Sequence, residues 1–251
     1  MKKTFAAFLL TLAVVAVGFA QTVTITPKKT VYTRKGKVTI KEKRTFVVTY
    51  PQTSGAIPVN AKKNLDNSIS YWKVFGTTLR ENQTESDWLS EMSYKVNYNK
   101  NGILDIALTQ EGSGAYPDSS TIEKVIDLKT GNQVKFADVF KANALADFAK
   151  LVNGKLSVEK KDIIQRIDKG EFGDENDKEA NDALKQQLNE LNFTAETFDE
   201  FSISDQGVTI IYDAGFPHVI QAAQPDGRYF FKWAEVKPFI KLDGLLGKFV
   251  R

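Results

Sequence analysis

The sequence has no cysteine and a single histidine, His218, among its 251 residues. Without cysteine the chain forms no disulfide, offers no thiolate to a metal, and lacks the lipidated residue of a bacterial lipoprotein. With one imidazole, zinc sites built from two or three histidines are excluded. A Ser-His-Asp triad would have to use His218, yet no Gly-x-Ser-x-Gly elbow is present to hold its nucleophile. Excess charge of one sign is also missing: 34 basic against 31 acidic residues leave a formal net charge of +3, too little for a dedicated nucleic-acid binder. There is no internal repeat, low-complexity tract or flexible linker, and no apolar stretch after residue 20 is long enough to span a bilayer. Neither a metal nor a cofactor is expected, and the 42% apolar content is that of a chain stabilised by an ordinary hydrophobic core.

What is present begins with a compartment signal. Lys2 and Lys3 precede an apolar run from Phe5 to Phe19 interrupted only by Thr11, and Gly18-Phe19-Ala20 supplies small residues for a signal peptidase. Residues 1–20 therefore read as a secretory signal peptide, with a periplasmic or extracellular protein and no membrane span after cleavage. A retained N-terminal anchor is the alternative.

Thr22 to Tyr50 is rich in Val, Thr and Ile, with Val38/Ile40 and Phe46/Val48/Tyr50 at period two and breaks at Lys35-Gly36 and Lys41 to Arg44, so it predicts strands. After Pro51 and Pro58, Leu65, Ile69, Trp72, Phe75 and Leu79 predict one helix from Asn64 to Leu79 with its apolar stripe buried. Tyr94/Val96/Tyr98 and Leu104/Ile106/Leu108 flank Asn101-Gly102, a hairpin signal. A strand is expected over Ile122 to Leu128, followed by the turn Lys129-Thr130-Gly131. Leu145/Phe148/Val152, Ile163/Ile164/Ile167 and Leu184/Leu188/Leu191 predict three helices, the first and second separated by Asn153-Gly154. Strands return at Phe198 to Ile203, Val208 to Tyr212 and Tyr229 to Phe231, before a short helix near Trp233. The expected class is α+β: an antiparallel sheet with packed helices, strands at both ends of the chain and helices in the middle. An N-terminal region, 21–120, and a C-terminal region, 121–251, share this unit.

Two motifs are decoys. Ser70-Tyr71-Trp72-Lys73 and Lys129-Thr130-Gly131 match patterns of serine β-lactamases, but Ser70 falls inside the predicted helix and the second motif in a turn. The acidic run Asp174, Glu175, Asp177, Glu179 and Asp182 fails the calcium-loop register, which has Glu179 where Gly is needed and Lys185 where Glu is needed. It reads instead as a solvated helix entry. Trp72, Trp88, Trp233, Tyr94, Tyr98 and Tyr229 fit core or half-core positions. Tyr116 differs, because Glu111 to Asp118 has a loop composition.

Read in order, several segments resemble the secreted domain shared by lysozyme-sensing anti-sigma factors of the RsiV type and the N-terminal domain of peptidoglycan deacetylases of the PdaC type. They are Thr49-Tyr50-Pro51-Gln52 with the Asn64 to Phe75 helix; Leu104 to Leu108, Gly112 to Pro117, Ile126 to Gly131 and Asp138-Val139-Phe140; and Phe201-Ser202-Ile203, Gly207 to Tyr212 and Tyr229 to Ile240. Many members carry Gly-Gly-Ala-His-Pro where this chain has Tyr116 before Pro117, so that histidine's role is not carried over. The family's Pro-Tyr-rich loop is replaced by Asp213 to His218, and neither the deacetylase module nor the anti-sigma helix is present.

The resemblance implies a non-enzymatic binding module of the bacterial cell envelope, recognising a protein such as lysozyme or a cell-wall glycan. The alternative is an envelope hydrolase using carboxylates that the sequence does not single out. A third option is a subunit that only stabilises an envelope assembly. Two loops, Gly112 to Asp118 and Asp213 to Gln224, are the expected contact surface, with Tyr116, Pro117, Phe216, Pro217 and His218 as ligand-binding candidates. The mature protein is expected to begin at Gln21. Intact-mass measurement of the envelope protein checks this, and a mass that retains Met1 would mean an anchored chain.

Overall fold

The computed structural model describes residues 22–35, 41–172 and 177–251. The signal segment, the Val38/Ile40 alternation and the start of the acidic run at Asp174 and Glu175 lie outside the described residues. Among the described residues, nine strands form two sheets. The larger has six strands in chain order: β1 (Thr24–Thr33), β2 (Thr45–Ser54), β3 (Leu89–Lys100), β4 (Ile103–Ser113), β5 (Pro117–Asp127) and β6 (Asn132–Gln133). The smaller is β7 (Glu200–Ile203), β8 (Gly207–Ile211) and β9 (Arg228–Lys232). Helices α1 (Val59–Ser68), α2 (Tyr71–Val74) and α3 (Leu79–Thr84) lie between β2 and β3. Helices α4 (Phe136–Val139), α5 (Leu145–Asp168) and α6 (Lys178–Glu190) join the sheets, and α7 (Trp233–Val236) follows β9. The class is α+β, with helices in the middle and strands at both ends.

All pairings are antiparallel except β2 with β3, which run parallel through Val47↔Glu91 and Val48↔Met92. The helical crossover between those strands makes this possible, since a tight turn can only return a chain antiparallel. The β3–β4 hairpin turns on Asn101 and Gly102, both at positive φ (56° and 72°), which is the conformation an Asn-Gly pair favours. β5 carries the chain across residue 120 inside the larger sheet.

Strand β4 is buried from Ile103 to Leu108, and its alternate side chains serve two layers. Leu104, Ile106 and Leu108 pack with Phe46, Val48, Leu65, Ile69, Tyr71 and Met92 beneath α1 and α2. On the other face Ile103 joins Tyr98 and Val125 in a core completed by α5 and the smaller sheet, with Phe148, Val152, Phe201, Val208 and Phe231. A third cluster joins Ile163 and Ile167 of α5 to Leu184 and Leu188 of α6, with Phe216 and Ala223. Among the aromatics, Tyr98, Tyr229 and Trp233 are buried, and Trp72, Trp88 and Tyr94 are half-buried.

Two expected elements are redrawn. The single helix from Asn64 to Leu79 is broken: Ile69 ends α1, Ser70 is extended at φ −74° and ψ 114°, and Gly76 sits at φ 63°. A capping box then starts α3, with Glu81 N–H donating to Thr78 Oγ1 (3.1 Å) and Thr78 N–H to Glu81 Oε2 (2.8 Å). The break rotates the stripe, so Tyr71 takes the buried place and Trp72 and Phe75 remain half-buried. Conversely, Asn153-Gly154 does not divide the chain into separate helices, because α5 runs through it. Asn153 instead donates to Phe193 O (2.7 Å) and accepts from Phe193 N (2.9 Å), fastening the segment after α6 to the helix.

The decoys receive structural roles. Ser70 stands at the start of α2 rather than inside a longer helix, but Lys73 Nζ donates to Asn67 Oδ1 (2.5 Å) and is not paired with Ser70. Gly131 lies at φ 73°, where a Cβ would run into the Ala61 carbonyl of α1, so the Lys-Thr-Gly turn is a close contact with that helix. Asp177 caps α6 by accepting from Ala180 N (3.1 Å), as an acidic helix entry should.

Tyr71 is fully buried and its hydroxyl donates to Thr49 O (3.0 Å). Tyr71→Ala should therefore cost about 3–5 kcal/mol, in the range for deleting a buried aromatic, and Trp72→Ala clearly less. Denaturant unfolding of both variants checks the order, and an equal or larger loss from Trp72→Ala would contradict the broken-helix packing.

Candidate functional site

The β4–β5 hairpin is longer than its share of the core requires. Its strands pair as far as Ser113↔Pro117, leaving only Gly114, Ala115 and Tyr116 at the tip, so the expected loop is mostly strand. Gly114 N–H donates to Tyr116 O (3.1 Å), closing the turn. Behind the tip, Ser113 N–H donates to Trp88 O (2.9 Å) and Lys43 Nζ to Ser113 O (2.5 Å). Gly112 lies under Trp88, where any Cβ would collide with that residue's carbonyl and indole ring. Further down, the buried Arg34 donates to the carbonyls of Ser86 (3.0 Å), Lys43 (2.6 Å), Thr45 (3.3 Å) and Leu89 (2.5 Å), tying the ends of β1, β2 and β3 together. The tip is thus presented on a braced scaffold.

The second segment, Asp213 to Gln224, leaves β8 and is braced by its own side chains. Asp213 Oδ1 accepts from Gly215 N (2.9 Å) and Gln224 Nε2 (3.2 Å), while Gln224 Oε1 accepts from Phe216 N (2.8 Å). Pro217 opens a 3-10 turn, His218–Ala223, in which His218 Nδ1 lies 3.2 Å from Gln221 Oε1. Just beyond, Asp226 N–H donates to Glu159 Oε1 of α5 (2.5 Å).

These two segments, far apart in sequence, meet. The rings of Tyr116 and His218 lie 5.4 Å apart between centroids and are tilted by 35°. Between hairpin and turn lies an open groove of ≈ 570 Å³, bordered by Ser90, Glu111, Ser113, Asp118, Ser119 and Gln221. Its donors and acceptors are hydroxyls, carboxylates and an amide. Tyr116 is 67% exposed, and Val219 beside His218 is 89% exposed.

Of the five residues expected to bind a ligand, Tyr116, Pro117, Pro217 and His218 are exposed at this meeting point. Phe216 is not. It is buried with Ile163, Ile167, Leu184 and Leu188, so it anchors the segment to the helices and presents no contact surface. An aromatic flanked by Gly215 and Pro217 reads as a loop residue in sequence, and only the α5–α6 cluster reveals it as core.

A polar cluster that spacing did not reveal joins the two sheets. Asp105 on β4 is wholly inaccessible, and its Oδ2 accepts from Ser202 Oγ and Ile203 N, both at 2.6 Å. Asn97 Nδ2 donates to Asp105 Oδ1 (3.3 Å) and Glu123 Oε2 (2.8 Å), and Arg228 donates to Glu123 Oε1 (2.8 Å). Glu123 N–H donates to the Glu200 carboxylate. Burial pushes the Asp105 carboxyl up to about 6 and also raises that of Glu200. The sign in the sequence was a charged residue at an inward position of an apolar strand, Ile103 to Leu108. Asp105 and Glu123 are buried and committed to protein partners, so this pair joins the sheets, while Glu123 and Glu200 also border an open pocket with Lys124, Lys135 and Phe198. Among the described residues, no group of three His, Asp or Glu side chains is placed to hold a metal.

No protein-family model matches the chain, and no curated protein matches it in sequence. Among solved structures it is similar to a member of the DUF3298 family from Bacteroides fragilis, with a TM-score of 0.55 at 11% identity, over 90% of this chain and 96% of that one. A DUF3298 family protein from Pseudomonas aeruginosa gives a TM-score of 0.49 at 13% identity, over 87% of this chain and 94% of that one. The first likeness shows a shared fold and nothing finer.

Proposed function

We propose that this chain is a secreted, non-enzymatic binding module of the bacterial cell envelope, and that its contact surface is the groove beneath the Tyr116–His218 tip. The observation that carries the reading is the meeting of two independently braced segments, one from each sheet, around an exposed aromatic pair. Aromatic side chains held on rigid turns are effective contact anchors, because they contribute area while losing little rotamer entropy. The groove's hydroxyl, carboxylate and amide groups suit the hydroxyls of a cell-wall glycan or the polar groups of a protein such as lysozyme. Kinship with the RsiV-type and PdaC-type secreted domains belongs to the same proposal, as does export through residues 1–20.

The test uses two immobilised probes, lysozyme and a soluble muropeptide fraction. The wild-type protein should bind one of them, and the double variant Tyr116→Ala/His218→Ala should bind it about tenfold or more weakly. Its unfolding free energy should stay within about 1 kcal/mol of wild type, as expected for surface sites. Binding of neither probe, or undiminished binding by the stable double variant, would overturn the reading. Muropeptide cleavage that is lost in Glu111→Gln or Asp118→Asn would replace it with the hydrolase alternative.

A further inference from the structure

A second cleft, of ≈ 630 Å³, opens where the edge of β5 lies between β6, the start of α4 and the start of β7. Its volume falls within the about 300–1,000 Å³ usual for small-ligand sites. It shares no lining residue with the groove beside Tyr116. Phe198 gives it an apolar surface that cannot move away, because that half-buried ring is packed against Phe136, Phe148 and Phe193, with centroids 4.4, 5.1 and 4.6 Å distant.

Charges of both signs border the cleft and come from different elements. Lys124 on β5 and Lys135 at the head of α4 supply two ammonium groups, and Asp199 and Glu200 at the head of β7 supply two carboxylates. They do not neutralise one another. Among the described residues no ion pair joins either lysine to either carboxylate. Lys124 Nζ instead donates to the uncharged Gln133 Oε1 (2.9 Å), while its field still favours the ionised form of Glu200, so the two are near without touching. Glu200 is held in place by accepting the Glu123 N–H, and Glu123 is already paired with Arg228. Lys135 and Asp199 are exposed, with no side-chain hydrogen bond or ion pair among the described residues.

Two unpaired charges of each sign select the class of ligand. A simple anion or cation entering this cleft meets as much repulsion as attraction, whereas a dipolar molecule in one orientation satisfies both sides. Because the ammonium groups come from β5 and α4 and the carboxylates from β7, the ligand's own charges belong at its two ends rather than on one carbon. An apolar middle suits Phe198 and Ile122. We propose that this cleft binds a short peptide with free termini, of dipeptide size, its carboxylate toward Lys124 and Lys135, its ammonium toward Asp199 and Glu200, and an apolar side chain on Phe198. The site stands whatever the groove beneath Tyr116 binds.

Calorimetric titration of the protein with leucyl-leucine tests this. The free dipeptide should bind saturably, and N-acetyl-leucyl-leucine and leucyl-leucine amide, each lacking one terminal charge, should bind about tenfold or more weakly. No saturable binding of the free dipeptide at millimolar concentration, or equal affinity for the blocked forms, would overturn the assignment. Lys135→Gln and Asp199→Asn alter exposed side chains with no partner to lose, so each variant should keep the wild-type urea midpoint while binding the dipeptide about tenfold more weakly. Undiminished binding by either folded variant would also overturn it.

Discussion

A strand buried on both faces must satisfy two different neighbours with alternate side chains, and β4 does this from Ile103 to Leu108. One face meets an apolar helical layer and takes Leu104, Ile106 and Leu108. The other meets a second sheet and takes Ile103 for the core and Asp105 for the seam. A register slip of one residue would place the carboxylate among Leu65, Ile69 and Tyr71 and turn the leucines toward Ser202, so the pairing is strongly specified. The parallel β2–β3 pair, the helical crossover and the docking of β7 all accommodate that one strand.

The candidate site follows from the same constraint. Beyond Leu108 the β4–β5 hairpin stays paired with β3 as far as Leu89↔Gly112, so the pinned centre of β4 fixes where the tip is presented. Trp88 over Gly112 and the Arg34 carbonyl cage brace it from behind. The opposing segment is held by Phe216 in the α5–α6 cluster and by Asp226 on Glu159. Two supports of different origin thus bring Tyr116 and His218 to one point. Preorganisation of this kind lowers the ordering cost of binding.

Much of this is legible in the sequence where the signal is local. Period-two alternation locates β4 and β8, Asn101-Gly102 locates the hairpin, and interrupted periodicity, composition and the family resemblance together mark the two candidate segments, the first of which is mostly strand. Where sequence and structure differ, a competing signal outweighs periodicity. Thr78 with Glu81 starts a new helix inside what the apolar spacing shows as one stripe. Asn153-Gly154 has the composition of a break, but tertiary bonds to Phe193 keep α5 continuous. Asp105 and Phe216 show the larger limit: a charged residue in an apolar strand and an aromatic in a loop each take their role from elements distant in sequence, which spacing cannot supply.

Hairpin tip and turn meet at the lone histidine, which makes their contact directly observable. With one imidazole in the chain, its ring protons give a single, unambiguous set of NMR signals. A nuclear Overhauser contact is predicted between those protons and the Tyr116 ring, whose centroid lies 5.4 Å from that of His218. An imidazole ring-current shift that disappears in Tyr116→Leu is predicted with it. A folded protein with no such contact, and with imidazole shifts unchanged by Tyr116→Leu, would show that the two segments stand apart and that the groove between them is not a site.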